Sequence, residues 1–367
     1  MTIYILLIVS YLVLSLLEFA SNMGKLKRKK FVKFAYGIFL LFPIWLIVSF
    51  RDVTVGNDTN MYEYLYEQFT SESLIVSFVF QRLEKGFITF CWLLGQIGLD
   101  FHGFLLVISS IICVSFAFFI VRYSDNWAFS WFLFITLLFL PRSMNICREM
   151  MAVSLSLYAF RLLLCRRIKT YILCALLLTL VHKSAILLLL VVILLKLKSP
   201  AVRLIFVVVS GFILAFVFEP VMSMFISFND EKYQYLADSK YTEVDGGIAK
   251  FFNLLFAIFA YISMMIIPYF RKTRIYIYQA DVWRCIALSA IILNIGGLNF
   301  GLADRASLYY ISAYLIFIPN AIMSLRSGSK FLFYAFNASF LSIYFFAVMI
   351  YRNNWHGIVP YSFWWGS

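Results

Sequence analysis

The chain has few charged residues for its length. Of its 367 residues only 13% are charged, whereas 63% are hydrophobic, and the mean hydropathy is +0.90. Because a soluble globular domain carries about 25% charged residues, this composition predicts an integral membrane protein. Apolar runs of about 17–25 residues recur from end to end, so we predict an all-α fold rather than a β-barrel.

Sequence motifs for metals, nucleotides and nucleic acids are also missing. The six cysteines are scattered and show no Cys-x-x-Cys or Cys/His spacing, so they predict no metal site. There is no Walker loop, no Rossmann glycine pattern and no Asp-x-Asp cluster, which argues against nucleotide-dependent chemistry. Basic–aromatic nucleic-acid motifs are absent as well. We therefore predict no cofactor, no metal and no nucleic-acid partner.

The net charge of +13 is unevenly placed along the chain. Basic residues cluster in short connectors that contain no acidic residue, at 25–33, 166–169, 196–203, 271–274 and 326–330. The positive-inside rule assigns these connectors to the cytoplasm. Acidic residues collect instead in two longer segments, 51–85 and 219–250. We expect both segments to face the outer side of the membrane.

The hydropathy pattern predicts a single polytopic membrane domain over residues 1–367, with about 12 transmembrane helices. Residues 3–19 read as a retained helix, not a signal peptide. The expected spans are 2–22, 33–50, 102–122, 127–141, 147–164, 170–182, 184–197, 203–225, 250–270, 283–300, 305–325 and 331–351.

Two segments of the predicted outer region do not read as ordinary spans. The apolar segment 86–98 is short. If it crossed the membrane fully, the basic connectors before and after it would no longer face the same side. We therefore predict a re-entrant or interfacial helix. Before it, aromatic and acidic residues alternate at helical spacing over 61–69. That pattern predicts an amphipathic helix on the outer surface.

A polar stretch from Arg51 to Tyr62 follows an apolar run directly. Arg51 offers a planar fork that suits phosphate oxygens, and Asp58 is a candidate general base, with Thr59 and Tyr62 beside them. The alternative is an exposed loop in which Asp58 caps the next helix. Glu84 is a candidate for the other side of this site, or else part of an interfacial ion pair.

A second polar stretch, residues 141–149, contains Arg142, Asn145, Arg148 and Glu149. We predict residues 142–146 as the outer turn of a helical hairpin. The positive-inside rule does not explain arginines on the outer side. An arginine at a helix N-terminus suits an anion.

Two further polar pairs interrupt apolar sequence. His182 and Lys183 either lie beside a cavity or form a simple turn, and a histidine there can act as a base or an acid. Asp304 and Arg305, followed by Tyr309, are either site residues or a helix cap with an interfacial arginine. The aromatic C-terminal residues 355–365 are predicted to form an interfacial belt.

All these polar groups fall on one predicted side of the membrane. Arginines, a histidine and carboxylates beside an apolar cavity suit a substrate with an anionic head and a lipid tail, such as a diphosphate-linked polyprenol. A transporter would be expected to carry charges on both sides of the midplane. The one-sided pattern therefore favours an enzyme.

The chain resembles the EpsG family of Wzy-type polysaccharide polymerases from near its N-terminus to its end. Glu149 departs from the family pattern, in which glutamine is expected, and this leaves the role of its side chain open. The resemblance is carried by short motifs in a characteristic order: Arg51 to Tyr62, Glu84 to Gly86, Asn145 to Ala152, His182 to Ser184, Asp304-Arg305 with Tyr309-Tyr310, and Pro360-Tyr361.

The resemblance implies a GT-C-like membrane glycosyltransferase in the bacterial cytoplasmic (inner) membrane, with its active site on the outer, periplasmic face. It would use undecaprenyl-diphosphate-linked glycans as donor and acceptor, among membrane lipids, to make O-antigen or a related surface polysaccharide. A chain-length regulator protein is a candidate partner. The alternatives are an O-antigen ligase, a flippase for lipid-linked oligosaccharides and, with less support, a membrane acyltransferase.

The same resemblance suggests roles for individual residues. Arg51, Arg148 and Arg305 would stabilise the leaving diphosphate, and Asp58, or alternatively His182, would deprotonate the attacking hydroxyl. Candidate substrate-binding residues are Thr59, Tyr62, Glu84, Arg142, Asn145, Lys183, Asp304 and Tyr309.

Overall fold

The computed structural model describes residues 1–20, 30–81, 83–217, 247–266, 274–299, 301–351 and 356–365. These residues are mostly helical, which confirms the all-α prediction, and an isolated antiparallel bridge joins Arg51 to Phe363. Most of the predicted outer segment 219–250 lies outside the described residues, as do most of the basic connectors at 25–33 and 271–274.

The helices of the described residues are numbered in chain order. They are α1 (Thr2–Ala20), α2 (Lys30–Ser49), α3 (Thr59–Ser71), α4 (Leu74–Phe80), α5 (Lys85–Gln96), α6 (Phe101–Tyr123), α7 (Trp127–Thr136), α8 (Phe139–Asn145), α9 (Cys147–Leu164), α10 (Ile168–Leu178), a 3-10 helix (Lys183–Leu189), α11 (Leu190–Lys196), α12 (Pro200–Phe216), α13 (Gly247–Ile266), α14 (Arg274–Gly296), α15 (Gly301–Ala306), α16 (Leu308–Ile311), α17 (Tyr314–Ser324) and α18 (Ser327–Tyr351).

The chain divides into two compact units. The first consists of Met1–Leu162, Lys169–Ile186 and Ile322–Ser367, and the second of Leu163–Ile168 and Leu187–Ala321. The single polytopic domain stays a prediction.

Within the described residues, four helices are long and apolar enough to cross a membrane: Thr2–Ala20, Phe31–Ser49, Phe101–Tyr123 and Gly328–Ile350. Two bent pairs raise the number to six if each pair is one span. Helix α10 and the helices after it at 183–196 are shorter than the predicted spans 170–182 and 184–197. A total of about 12 spans therefore stays a prediction.

The predicted span 127–141 corresponds to a bent pair of helices, α7 and α8, and not to one continuous helix. The chain bends by 57° between α7 and α8, where Leu138 adopts a left-handed conformation with φ 64°. The residues from 126 to 147 are buried, so the turn predicted at 142–146 is instead part of a short buried helix. Hydropathy did not reveal the break because the sequence stays apolar across it.

A buried carboxylate anchors α7 within the first unit. Glu18 on α1 accepts hydrogen bonds of 3.0 Å from the backbone N–H groups of both Trp127 and Ala128, and one of 2.7 Å from the Tyr36 hydroxyl. The first N–H groups of a helix have no partner inside the helix. A carboxylate satisfies them and complements the helix dipole.

The two short helices expected near the outer surface are present. Helix α3 buries Tyr62, Tyr66 and Phe69 and exposes Glu67, as its amphipathic pattern predicted. It packs against α5. With 12 residues, α5 is about 18 Å long, too short to cross a hydrocarbon core of about 30 Å.

In the second unit, α12 packs on α14. Arg203 of α12 forms a two-pronged ion pair with Asp281 of α14, in which Nη2 donates to Oδ2 at 3.0 Å and Nη1 pairs with Oδ1. A planar guanidinium suits this geometry, so the pair fixes the register of the two helices.

Candidate functional site

Glu84 is the centre of a polar cluster in the first unit. It lies just before α5 and is 8% exposed. Its Oε2 pairs with Nη1 of Arg148. Its Oε1 accepts a 3.0 Å hydrogen bond from the backbone N–H of Lys183 and lies 3.7 Å from Nδ1 of His182. One carboxylate thus joins three segments that are far apart in sequence.

His182 lies between two carboxylates. Its Nδ1 faces Glu84, and its Nε2 is 3.9 Å from Oε1 of Glu149. The imidazole is half-buried. A carboxylate beside a histidine orients the ring and stabilises its protonated form, so this arrangement suits a group that takes up a proton. We call Glu84, Arg148, Glu149 and His182 the Glu84 cluster.

Arg148 comes from the first turn of α9. Its guanidinium carbon lies 5.8 Å from the centroid of the Phe87 ring, and its side chain remains 18% exposed. Within the described residues its Nε makes no hydrogen bond. The guanidinium therefore combines a fixed position with unused donor capacity, which suits the oxygens of a phosphate.

A close backbone approach brings the parts of the Glu84 cluster together. The N–H of Phe87 donates to the carbonyl of Leu180 at 3.2 Å, next to the turn that ends α10. A Cβ atom at Gly86 would lie 2.6 Å from that same carbonyl oxygen. Glycine at this position therefore allows Glu84 to reach His182.

Arg51 is buried at the start of the polar loop, residues 51–58, which lies between α2 and α3. Its side chain is 0% exposed, and Nη1 donates to the carbonyl of Val48 at 2.5 Å and to the Ser109 hydroxyl at 3.5 Å. Its Nε and Nη2 have no hydrogen-bond partner in the described part of the chain. Burial lowers the pKa of Arg51, because desolvation disfavours the charged form. In this conformation Arg51 adds positive potential but does not contact solvent.

Asp58, Thr59 and Tyr62 start the amphipathic helix α3. Asp58 occupies the N-cap position, yet its side chain makes no capping hydrogen bond. Thr59 is buried, and its hydroxyl donates to the carbonyl of Val55 at 2.7 Å. Tyr62 packs edge-on against Phe87 with 6.2 Å between ring centroids. Burial raises the pKa of Tyr62 well above its usual value, so its phenol stays neutral.

Arg142 and Asn145 lie on the buried helix α8. Nη1 of Arg142 donates to the carbonyl of Leu137 at 3.1 Å. Asn145 Oδ1 accepts a 2.9 Å hydrogen bond from the backbone N–H of Asp58, and its Nδ2 lies 3.2 Å from Nδ1 of His356. Asn145 thus links α8 to two other segments.

Sequence reasoning missed the part played by the C-terminal segment 356–365. The N–H groups of Asp52, Gly56 and Asn57 donate to its carbonyls at 3.0, 2.8 and 3.3 Å respectively. All three bonds use backbone atoms, which leave no sequence pattern. The exposed Trp364 and Trp365 are compatible with the predicted belt, and Trp355 lies outside the described residues.

The remaining predicted residues belong to the second unit. Asp304 is half-buried and accepts a 3.1 Å hydrogen bond from Asn253 Nδ2. Arg305 is half-buried on α15, and Tyr309 is fully buried on α16. Their roles in a shared site stay predictions. Among the described residues, no group of three His, Cys, Asp or Glu side chains could hold a metal ion.

A comparison with family models assigns most of the chain to one family. The model of the EpsG family matches residues 34–363, a range that includes the Glu84 cluster, the polar loop and most of the C-terminal segment. No curated protein and no solved structure matches the chain. The family match confirms the resemblance seen in the sequence motifs. The chain belongs to the EpsG family, whose members are Wzy-like polymerases.

Proposed function

We propose that this protein polymerises lipid-linked oligosaccharide repeat units into O-antigen or a related surface polysaccharide. The growing glycan would be transferred from its undecaprenyl diphosphate to the non-reducing end of an incoming repeat unit, on the outer face of the bacterial cytoplasmic membrane. The observation that carries the proposal is His182 held between Glu84 and Glu149, beside Arg148. Family membership supplies the polymerase class.

The chemistry requires a base and a charge stabiliser. The bond between the anomeric carbon and the diphosphate oxygen breaks, while a hydroxyl of the acceptor sugar forms the new glycosidic bond. His182 takes the hydroxyl proton, and the two carboxylates stabilise the resulting imidazolium. Arg148 stabilises the negative charge that develops on the departing diphosphate.

The other predicted residues have supporting roles in this proposal. Arg51 contributes positive potential from the start of the loop, and Arg305 remains a candidate for a second diphosphate contact. Asp58 is the second candidate for the base, because its carboxylate is half-buried at the start of α3. His182 is preferred because its two ring nitrogens face the carboxylates of Glu84 and Glu149, which would stabilise the protonated ring.

Deletion of the gene from the source cell, followed by complementation, tests the proposal. A gel of surface polysaccharide should show a long ladder collapsing to one repeat unit, and wild-type protein should restore it. Arg148→Lys should give short chains at normal protein level, because a lysine does not replace the guanidinium fork. Arg161→Lys, at an exposed arginine on α9, is the matched control and should restore the full ladder.

Other ladder patterns would overturn the proposal. Loss of surface glycan with lipid-linked repeats retained inside the cell would indicate a flippase. Long lipid-linked chains that never reach their final acceptor would indicate a ligase. Normal chain length from Arg148→Lys would remove that residue from the mechanism.

A further inference from the structure

The C-terminal segment 356–365 is bonded to the polar loop along much of its length. In addition to the backbone bonds to Asp52, Gly56 and Asn57, the N–H of Trp364 donates to the carbonyl of Phe50 at 3.3 Å. The Tyr361 hydroxyl donates to the carbonyl of Ile47 at 2.9 Å. These contacts fix the loop from the end of α2 to the start of α3.

His356 makes the side-chain contact between this segment and α8. It is 4% exposed, and its Nδ1 lies 3.2 Å from Nδ2 of Asn145. Because Oδ1 of Asn145 accepts the N–H of Asp58, Nδ2 must be the atom that donates to His356. An amide nitrogen has no lone pair to accept with, so Nδ1 of His356 acts as the acceptor and carries no proton in this contact.

A chain of contacts therefore runs from His356 through Asn145 to Asp58. Arg148 and Glu149 of the Glu84 cluster follow Asn145 by three and four residues, in the first turn of α9. The backbone of His356 also supports the loop, because its carbonyl accepts the N–H of Asn57 at 3.3 Å. The side chain of His356 thus acts on Asp58 through Asn145, while its backbone carbonyl binds the neighbouring Asn57.

We propose that His356 is a positioning residue for the transferase site, which it serves by fixing Asn145 and the 51–58 loop in one arrangement. The proposal rests on the proposed function. His356 holds the amide of Asn145 so that its oxygen faces Asp58. Loss of this contact frees the Asn145 side chain to turn, and the backbone at Asp58 then loses its acceptor. The 51–58 loop is then no longer held in one position, although every group that would touch the substrate is still present.

The first experiment compares His356→Asn with His356→Leu, two side chains of nearly equal size. The asparagine oxygen can replace the Nδ1 acceptor, whereas leucine supplies none. Purified protein in proteoliposomes is given lipid-linked repeat units extracted from the deletion strain, and kcat and KM for chain extension are measured. His356→Leu should lower kcat/KM about tenfold, the effect of losing one hydrogen bond, and His356→Asn should recover most of it.

His102→Leu is the matched control. The ring of His102 packs against that of Trp364 in a tilted arrangement, with 5.0 Å between ring centroids. It contacts the C-terminal segment at Trp364 and not at His356, and this variant should keep wild-type kinetics. Equal losses in the Asn and Leu variants of His356, or wild-type kinetics from His356→Leu, would overturn the proposal. Failure of the wild-type protein to extend chains would instead count against the proposed function.

Two glycine variants test the backbone hydrogen bonds between the C-terminal segment and the loop. Gly357 has φ +63°, and an added Cβ would lie 2.1 Å from Oδ1 of Asn57. Gly98 has φ +80° with no atom within 4 Å of its Cβ position. Both alanine variants place a side chain at a positive φ, but Gly357→Ala also pushes the segment off the loop. Gly357→Ala should therefore lower chain extension well below Gly98→Ala, and equal activities at equal yield of folded protein would contradict the proposal.

Discussion

At the scale of single residues, the two glutamates of the Glu84 cluster have different positions. Glu84 joins Arg148, the Lys183 backbone and His182, and it is 8% exposed. Glu149 approaches His182 at the longer distance of 3.9 Å. The negative charge of Glu84 is thus paired with the positive charge of Arg148. The contact made by Glu149 can also be made by an amide oxygen.

Glu84→Gln and Glu149→Gln should therefore differ in activity. Glu84→Gln leaves Arg148 without its counter-charge and removes the carboxylate at Nδ1 of His182. It should reduce chain extension by about a hundredfold, the lower end of what a positioned acid–base group contributes. Glu149→Gln installs the residue that the family motif leads us to expect there and should retain most activity. Both are measured with purified protein and lipid-linked repeats.

The exposed Glu67 on α3 provides the control for this comparison. Glu67→Gln removes the same charge at a site outside the Glu84 cluster and should leave chain extension unchanged. If Glu149→Gln were the more damaging of the two cluster variants, Glu149 rather than Glu84 would be the partner on which His182 depends.

At the scale of secondary-structure elements, the contact between α5 and the turn after α10 builds the Glu84 cluster. Gly86→Ala would force the carbonyl of Leu180 away from a Cβ atom 2.6 Å distant. Such overpacking costs about 1–3 kcal/mol. Chain extension should fall because Glu84 and His182 move apart, and the melting temperature of the purified protein should also decrease.

Gly328→Ala is a matched control for Gly86→Ala, because no atom lies within 4 Å of its Cβ position. It should preserve both chain extension and the melting temperature. Full activity of Gly86→Ala would mean that the close approach at Leu180 is not what holds the cluster together.

Long apolar helices and amphipathic periodicity could be predicted from the sequence. Helix α6 was expected at 102–122 and is found at Phe101–Tyr123, and the amphipathic helix α3 includes the predicted 61–69. The break at Leu138 could not be predicted, since one left-handed residue leaves no mark on an apolar run.

The sequence pointed to individual candidate residues of the site, but it did not predict the contacts between them. Polar residues in apolar sequence pointed to Glu84, Arg148 and His182 because buried charge is costly. Their mutual contacts depend on a glycine, a turn and segments about a hundred residues apart, none of which a local pattern reports. The contact of His356 with Asn145 joins residues still further apart and was not foreseen.

At the scale of the whole molecule, the charge pattern predicts which side of the membrane each connector faces. Cys165 is exposed beside the basic connector at 166–169, which the positive-inside rule assigns to the cytoplasm. Lys85 is exposed at the start of α5, on the predicted outer side. The two positions should therefore react with a membrane-impermeant maleimide from opposite sides.

Labelling of spheroplasts tests this orientation. In a Cys174→Ala background, Cys165 should react only after the membrane is permeabilised. With Cys165→Ala added, Lys85→Cys should react in intact spheroplasts. The reverse pattern would place the Glu84 cluster on the cytoplasmic side and contradict the proposed outer active site.

The central claim is that the Glu84 cluster joins lipid-linked repeat units, and chain extension by the purified protein tests it most directly. Wild-type protein in proteoliposomes receives lipid-linked repeats from the deletion strain, and the products are sized by mass spectrometry. The account predicts chains of two or more repeats together with released undecaprenyl diphosphate, and neither product from His182→Ala. Repeat units that stay single with the wild-type protein, or chains that lengthen equally with His182→Ala, would contradict it.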